Sequence, residues 1–215
     1  MRVLLTSFAT CALASLLFTQ TASATNVFDG GRIAGGSSQV VPAGSSFGPG
    51  ELPELGRPVD LERYMGTWYQ VAAIPQPYTL QCTHDTTAEY QLKEDGTVAV
   101  RNSCGTPLGG KSVIEGTATP RSETTLRVNF PGVPFQDPEG PANYRVTWLA
   151  EDYSIAIVGS PNRLSGFVLS RTPNLVPEQW NQVKSEIRHA GWNDCFFVNV
   201  PTAGGRLDAA PLCLK

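Results

Sequence analysis

The sequence predicts an all-β fold: eight antiparallel strands closed into an up-and-down barrel, with one C-terminal α-helix packed outside. Three observations carry this reading. Short runs of alternating apolar and polar residues recur at close spacing between residues 68 and 171. Gly, Pro and Asp turns break them, as in a meander of hairpins. One stretch near the C-terminus, PEQWNQVKSEIRHAG, changes to the helical period.

Taken in order, residues 1–24 read as a secretory signal. Arg2 is their only charge, LLTSFATCALASLLF is apolar, and Ala22-Ser23-Ala24 has the small-x-small form of a cleavage site. Residues 25–57 hold eight Gly, three Pro and four Ser. Such a composition offers too little apolar surface to offset its ordering entropy, so a flexible leader is expected. Residues 58–200 are the expected folded domain, and 201–215 a tail tied down by a disulfide.

Within the domain, strands are expected at 68–74, 88–92, 97–102, 112–118, 124–130, 143–149, 154–159 and 166–171. The helix should start at Pro177 and stop at Gly191, with Trp180, Val183, Ile187 and Ala190 forming one apolar stripe. Residues 196–200 read as a short ninth strand. Eight antiparallel strands avoid exposed edges by closing, and a barrel of that size holds either packed side chains or one small ligand. Alternation alone fits both.

Composition narrows the function. Lys and Arg number 16 against 19 Asp and Glu, a net charge of −3 that becomes −4 once Arg2 leaves with the signal. An acidic, evenly spread balance argues against nucleic acid as a partner. Without Cys11, four cysteines remain, Cys82, Cys104, Cys195 and Cys213. An even number in an exported chain reads as two disulfides, and none of the four forms a C-x-x-C pair. No metal-spaced cluster, Gly-rich phosphate loop or Gly-x-Ser-x-Gly elbow occurs, so no metal or cofactor is expected.

Three motifs add a resemblance. Gly66-Thr67-Trp68-Tyr69, with Ala72 and Pro75 downstream, resembles the first signature of the lipocalins. Glu151-Asp152-Tyr153 stands where the family has Thr-Asp-Tyr, and Ser170-Arg171-Thr172-Pro173 is similar to its third motif. ERYMGTWYQVA and GFVLSRTP are especially similar to the bacterial outer-membrane lipocalins and the apolipoprotein-D-like proteins. The resemblance covers about residues 58–200. It implies that Trp68 closes the narrow end of the barrel, that Arg171 packs across it, and that Asp152 and Tyr153 lie in a loop at the same end. Gly66 belongs with them. These residues hold the fold and are not expected to be catalytic.

The resemblance also implies a pocket on the apolar face. Its expected ligand-binding residues are Tyr90, Val100, Val128, Phe130, Tyr144, Val146, Trp148 and Phe167. No Arg or Lys falls on the inward register, and Arg163 at the mouth is either a headgroup partner or a solvated loop cation. The mouth loops carry Tyr78, Leu80, Leu108, Val133, Phe135 and Leu164. Such residues either fold over one another or touch a membrane or a partner.

Cys82 begins the second strand and Cys104 ends its hairpin partner, which favours Cys82–Cys104 and leaves Cys195–Cys213. The apolipoprotein-D-like resemblance implies Cys82–Cys213 instead. The expected function is that of an exported protein, secreted or held in the periplasm or cell envelope of a bacterium. It would bind a small hydrophobic ligand such as a fatty acid or lysophospholipid, for transport, storage or envelope maintenance. Two alternatives stand beside it. One is a lipid isomerase or hydrolase of the same fold, for which Cys82 and His84 in CTHD are a conceivable nucleophile and base. The other is a filled barrel acting as a protein-interaction module.

Overall fold

The computed structural model describes residues 50–214. The expected signal segment and residues 25–49 of the leader lie outside the described residues. The elements are α1 (Leu61–Tyr64), β1 (Gly66–Ala73), β2 (His84–Leu92), β3 (Val98–Gly105), β4 (Lys111–Pro120), β5 (Thr125–Asn129), β6 (Tyr144–Leu149), β7 (Ile155–Gly159), β8 (Gly166–Ser170), α2 (Pro177–His189) and β9 (Val198–Asn199). Successive strands from β1 to β8 pair antiparallel, and β1 also pairs with β8, so the sheet closes on itself. All eight expected barrel strands are present, with the helix after them.

Because neighbours alternate in direction, the chain entering β1 shares one end of the barrel with the β2–β3, β4–β5 and β6–β7 turns. The β1–β2, β3–β4, β5–β6 and β7–β8 loops share the other end. At that second end β9 takes over one edge of β1, with Ala72 opposite Asn199 and Ala73 opposite Val198. The tail thus stitches the seam where β2 has parted from β1. Cys82–Cys104 ties the start of β2 to β3, and Cys195–Cys213 ties the tail behind α2. The Cys82–Cys213 alternative is not formed.

Apolar residues divide between two faces. Inside the barrel lie Trp68, Val98, Val100, Ala118, Val146, Val158 and Leu169. Outside, Val71, Ile155, Ile157 and Val168 pack against Trp180, Val183 and Ile187 of α2. The helix starts with Pro177 at its first turn, where a missing N–H is harmless, and the Gln179 side chain accepts from the Val176 N–H at 3.0 Å. It ends at Gly191, whose φ of +83° lets the chain turn back.

Three strands carry a register shift, β2 near its start between His84 and Thr87 and two others partway along. Between Gln70 and Ala72 in β1, and between Val146 and Trp148 in β6, the register shifts by one residue. Such a bulge sends later side chains to the opposite face from the one strict alternation assigns. Val146 stays inside opposite Val158, whereas Trp148 pairs with Ile157 and packs in the outer layer under α2. The expectation that Trp148 lines the interior is therefore corrected.

The packed chain begins before Pro58, within the stretch read as leader. Leu52 is wholly buried in the outer core. Its N–H donates to Pro161 O at 2.7 Å, and Leu55 N–H donates to Val146 O at 2.9 Å. Arg145 meets Glu51 at 3.1 Å and Glu54 at 3.5 Å. Two leucines and two acids suffice to fix a segment whose Gly and Pro content points to disorder.

Candidate functional site

At the end where the chain enters β1, Trp68 is fully buried, its indole N–H donating to Tyr64 O at 2.8 Å. The Arg171 guanidinium lies 3.8 Å from the Trp68 ring centre. It also donates to the backbone oxygens of Thr67, Arg63 and Met65 at 2.8–2.9 Å. Gly66 has φ +92°, a conformation that costs an L side chain strain, and brings the backbone beneath that guanidinium. Tyr153 is buried, accepts from Asp60 N–H at 3.0 Å, and carries the Arg63 guanidinium 3.9 Å above its ring. Asp152 accepts from the Ser154 N–H and hydroxyl, bonds that hold its carboxyl below the usual range. These groups form a structural cap.

Beside the cap is a cavity of about 200 Å³. One wall is the approach to β1, with Val59, Leu61, Tyr64 and Met65. A second is the inward face of β2–β4, with Tyr90, Val98 and Ala118. A third is β5–β6, with Leu126, Val128, Tyr144 and Val146. The β4–β5 hairpin, including exposed Ser122 and Glu123, completes the lining, so the cavity reaches solvent there. Among the described residues, no Lys, Arg or His lines it.

Three phenols converge on this space. The Tyr64 and Tyr144 hydroxyls lie 2.8 Å apart, and those of Tyr90 and Tyr144 3.4 Å apart. The Tyr64 and Tyr90 rings stack at 5.8 Å, and Tyr144 meets Tyr90 edge-on. Burial raises the pKa of all three, Tyr90 to about 12 and Tyr64 and Tyr144 well above the usual phenol value. A charged phenolate has nothing to solvate it here, so all three are neutral donors at physiological pH.

Of the eight residues expected to touch ligand, Tyr90, Val128, Tyr144 and Val146 line the cavity. Val100, Phe130 and Phe167 belong to the interior clusters but lie outside its wall. Trp148 is on the far side of the sheet. Val98 and Leu126 line the cavity too, and alternation already put them on the same face as Val100 and Val128. Tyr64 and Met65 precede β1, where no strand periodicity flags them. On the inward face of β3, two residues beyond Val100, Asn102 keeps a buried Oδ1 without a hydrogen-bond partner.

At the opposite end, Tyr78, Leu80, Leu108, Val133, Phe135 and Leu164 are all exposed, Leu108 and Phe135 fully. Arg163 differs from both expectations for it. It is 5 % exposed, donates through Nε to Ala190 O at 2.9 Å and through Nη1 to Gly50 O, and accepts from the Trp192 indole at 3.0 Å through its own carbonyl. It bolts the β7–β8 loop to the end of α2. His84 sits with Nδ1 2.9 Å from the Thr83 hydroxyl, and Cys82 is consumed in its disulfide, which leaves no thiolate beside it.

Comparison with known proteins agrees with this architecture. A family model described as a lipocalin-like domain matches residues 59–202. The temperature-induced lipocalin-1 of Arabidopsis thaliana is 34% identical over 147 residues, 65% of this chain and 77% of that protein. The outer membrane lipoprotein Blc of Escherichia coli K12 is 30% identical over 152 residues, 67% and 80% of the respective chains. Apolipoprotein D of Bos taurus is 31% identical over 160 residues, 66% and 77%. Among solved structures, the cockroach allergen Per a 4 superposes with a TM-score of 0.54 at 18% identity, over 67% of this chain and 88% of the allergen.

Proposed function

This chain belongs to the lipocalin family, and from that premise we propose that it is an exported carrier of a small hydrophobic molecule held inside the barrel. The observation that carries the reading is the cavity between the cap and the β4–β5 hairpin, enclosed by inward-facing apolar residues of five strands. Ligand sites are concave and mostly apolar, with a few placed polar groups. At about 200 Å³ this one has room for a single ring or a short acyl segment; a dry cavity near 150 Å³ is known to take benzene. A longer lipid chain would continue past Val100, Phe130 and Phe167 toward the loop end. The two disulfides and the relatives named as outer-membrane lipoproteins support an extracytoplasmic setting, with transport, storage or envelope maintenance as the role.

A lipid surface is the second partner we propose. Three loops at one end present exposed Tyr78, Leu80, Leu108 and Phe135, which suits peripheral contact during loading. Liposome flotation that leaves the protein unbound would remove this part alone. The filled-barrel alternative sits poorly with the cavity, and the Cys82–His84 enzyme with the Cys82–Cys104 bond.

Native mass spectrometry on gently purified protein, followed by organic extraction, tests the carrier reading. A retained small molecule that extracts into organic solvent is expected. Bare protein, unchanged after incubation with mixed lipids, would contradict it.

A further inference from the structure

The tyrosine cluster says what kind of molecule the cavity takes. Three phenols bring three O–H donors, and the cluster holds two O···O contacts, Tyr64 to Tyr144 and Tyr90 to Tyr144. Whichever way the chain of bonds runs, at least one donor is left over. No other hydrogen bond to these hydroxyls is formed among the described residues. The Tyr90–Tyr144 contact, at 3.4 Å, is also well beyond the ordinary O–H···O length of about 2.7–2.8 Å. An incoming oxygen can replace it at little cost. An unused donor facing an apolar cavity costs free energy until an acceptor arrives.

The same site is hostile to anions. Among the described residues Glu123 is the only ionisable lining group besides the tyrosines, and its sign repels anions. The Arg171 guanidinium, close to Tyr64, is occupied by three backbone carbonyls and the Trp68 face. A carboxylate or phosphate taken here would lose its hydration without gaining a cation.

We infer that Tyr64, Tyr90 and Tyr144 form a recognition site for a neutral ligand carrying a carbonyl or similar acceptor oxygen on a compact apolar body, a ketone, aldehyde or ester and not an ionised acid. This rests on the carrier reading above and sharpens it: a fatty acid enters this cavity by its hydrocarbon end, with its carboxylate left outside. Tyr144 is the hub, sharing a contact with each of the other two.

Calorimetric titration of the intact protein at neutral pH with acetophenone, ethylbenzene and benzoate separates the possibilities, since the three share a ring and differ in the polar group. Acetophenone is expected to bind about tenfold tighter than benzoate and about threefold or more tighter than ethylbenzene. The triple variant Tyr64→Phe/Tyr90→Phe/Tyr144→Phe, which removes every donor of the cluster, should bring acetophenone down to the level of ethylbenzene and leave ethylbenzene unchanged. Should that variant fail to fold, the infrared carbonyl stretch of acetophenone bound to wild type is read instead: a shift below its value in hydrocarbon solvent is expected, and an unshifted band would overturn the inference. Benzoate binding as tightly as acetophenone, or a ketone preference that survives the substitutions, would overturn the inference while leaving the carrier reading intact. Binding of none of the three would overturn both.

Discussion

Arg171 and Trp68, 103 positions apart in the chain, form one unit: the guanidinium lies 3.8 Å over the indole while its N–H groups hold the oxygens of Arg63, Met65 and Thr67. A single cation thereby joins the end of β8 to both the approach to β1 and β1 itself. The contact sits at the capped end, where it closes the barrel without entering the cavity.

Removing that cation should cost stability and not binding. Arg171→Ala forfeits the cation–π contact and three charge-assisted bonds, a loss of about 2–3 kcal/mol. For a domain of this size the melting temperature should fall by about 5–10 °C. Affinity for a cavity-sized probe such as ethylbenzene, measured well below that melting point, should stay within about twofold of wild type. Matched losses of stability and affinity would place Arg171 in the binding site.

Trp148 offers the complementary test of the β6 bulge. Because its ring packs under α2 and not in the barrel, Trp148→Leu should lower the melting temperature by loosening the helix, with ethylbenzene affinity unaltered. A loss of binding with the helix still docked would return Trp148 to the interior.

The buried phenols make an alkaline prediction. Their folded pKa values lie above the unfolded value near 10, with Tyr90 near 12. Between those values the unfolded chain gives up protons that the native state retains, so stability is full below pH 10 and falls as pH rises toward 12. Absorbance titration should show at least three of the six tyrosines ionising only as the protein unfolds. Tyr90→Phe should make the alkaline decline shallower. Smooth titration of every tyrosine near pH 10 in folded protein would mean that the cluster is open to water.

Most of the fold was legible because alternation, turn residues and one helical stripe are local signals, and β3, β4, β5, β7 and β8 follow them closely. What escaped notice depended on features without such a signal. The β6 bulge follows Val146 with no Gly or Pro to announce it, so Trp148 was assigned to the wrong face. Tyr64 precedes β1 in a single helical turn, too short to show a period. Leu52 and Arg163 are buried by partners far along the chain, Pro161 for one and Ala190 for the other. Half of the expected ligand residues line the cavity because they sit on unbroken stretches of strand. The rest of its wall comes from the approach to β1 and the β4–β5 hairpin.

The central claim is that the cavity itself takes the ligand, and filling it is the most direct test. Ala118 is 3 % exposed and lines the space from β4. Ala118→Phe should occupy much of it with little change in melting temperature, since the ring enters room already present. Titration of ethylbenzene into wild-type and Ala118→Phe protein, both shown folded by circular dichroism, is the measurement. Saturable binding to wild type, weakened at least about tenfold in the variant, is the predicted result. Equal binding to both would put the ligand elsewhere and contradict the account.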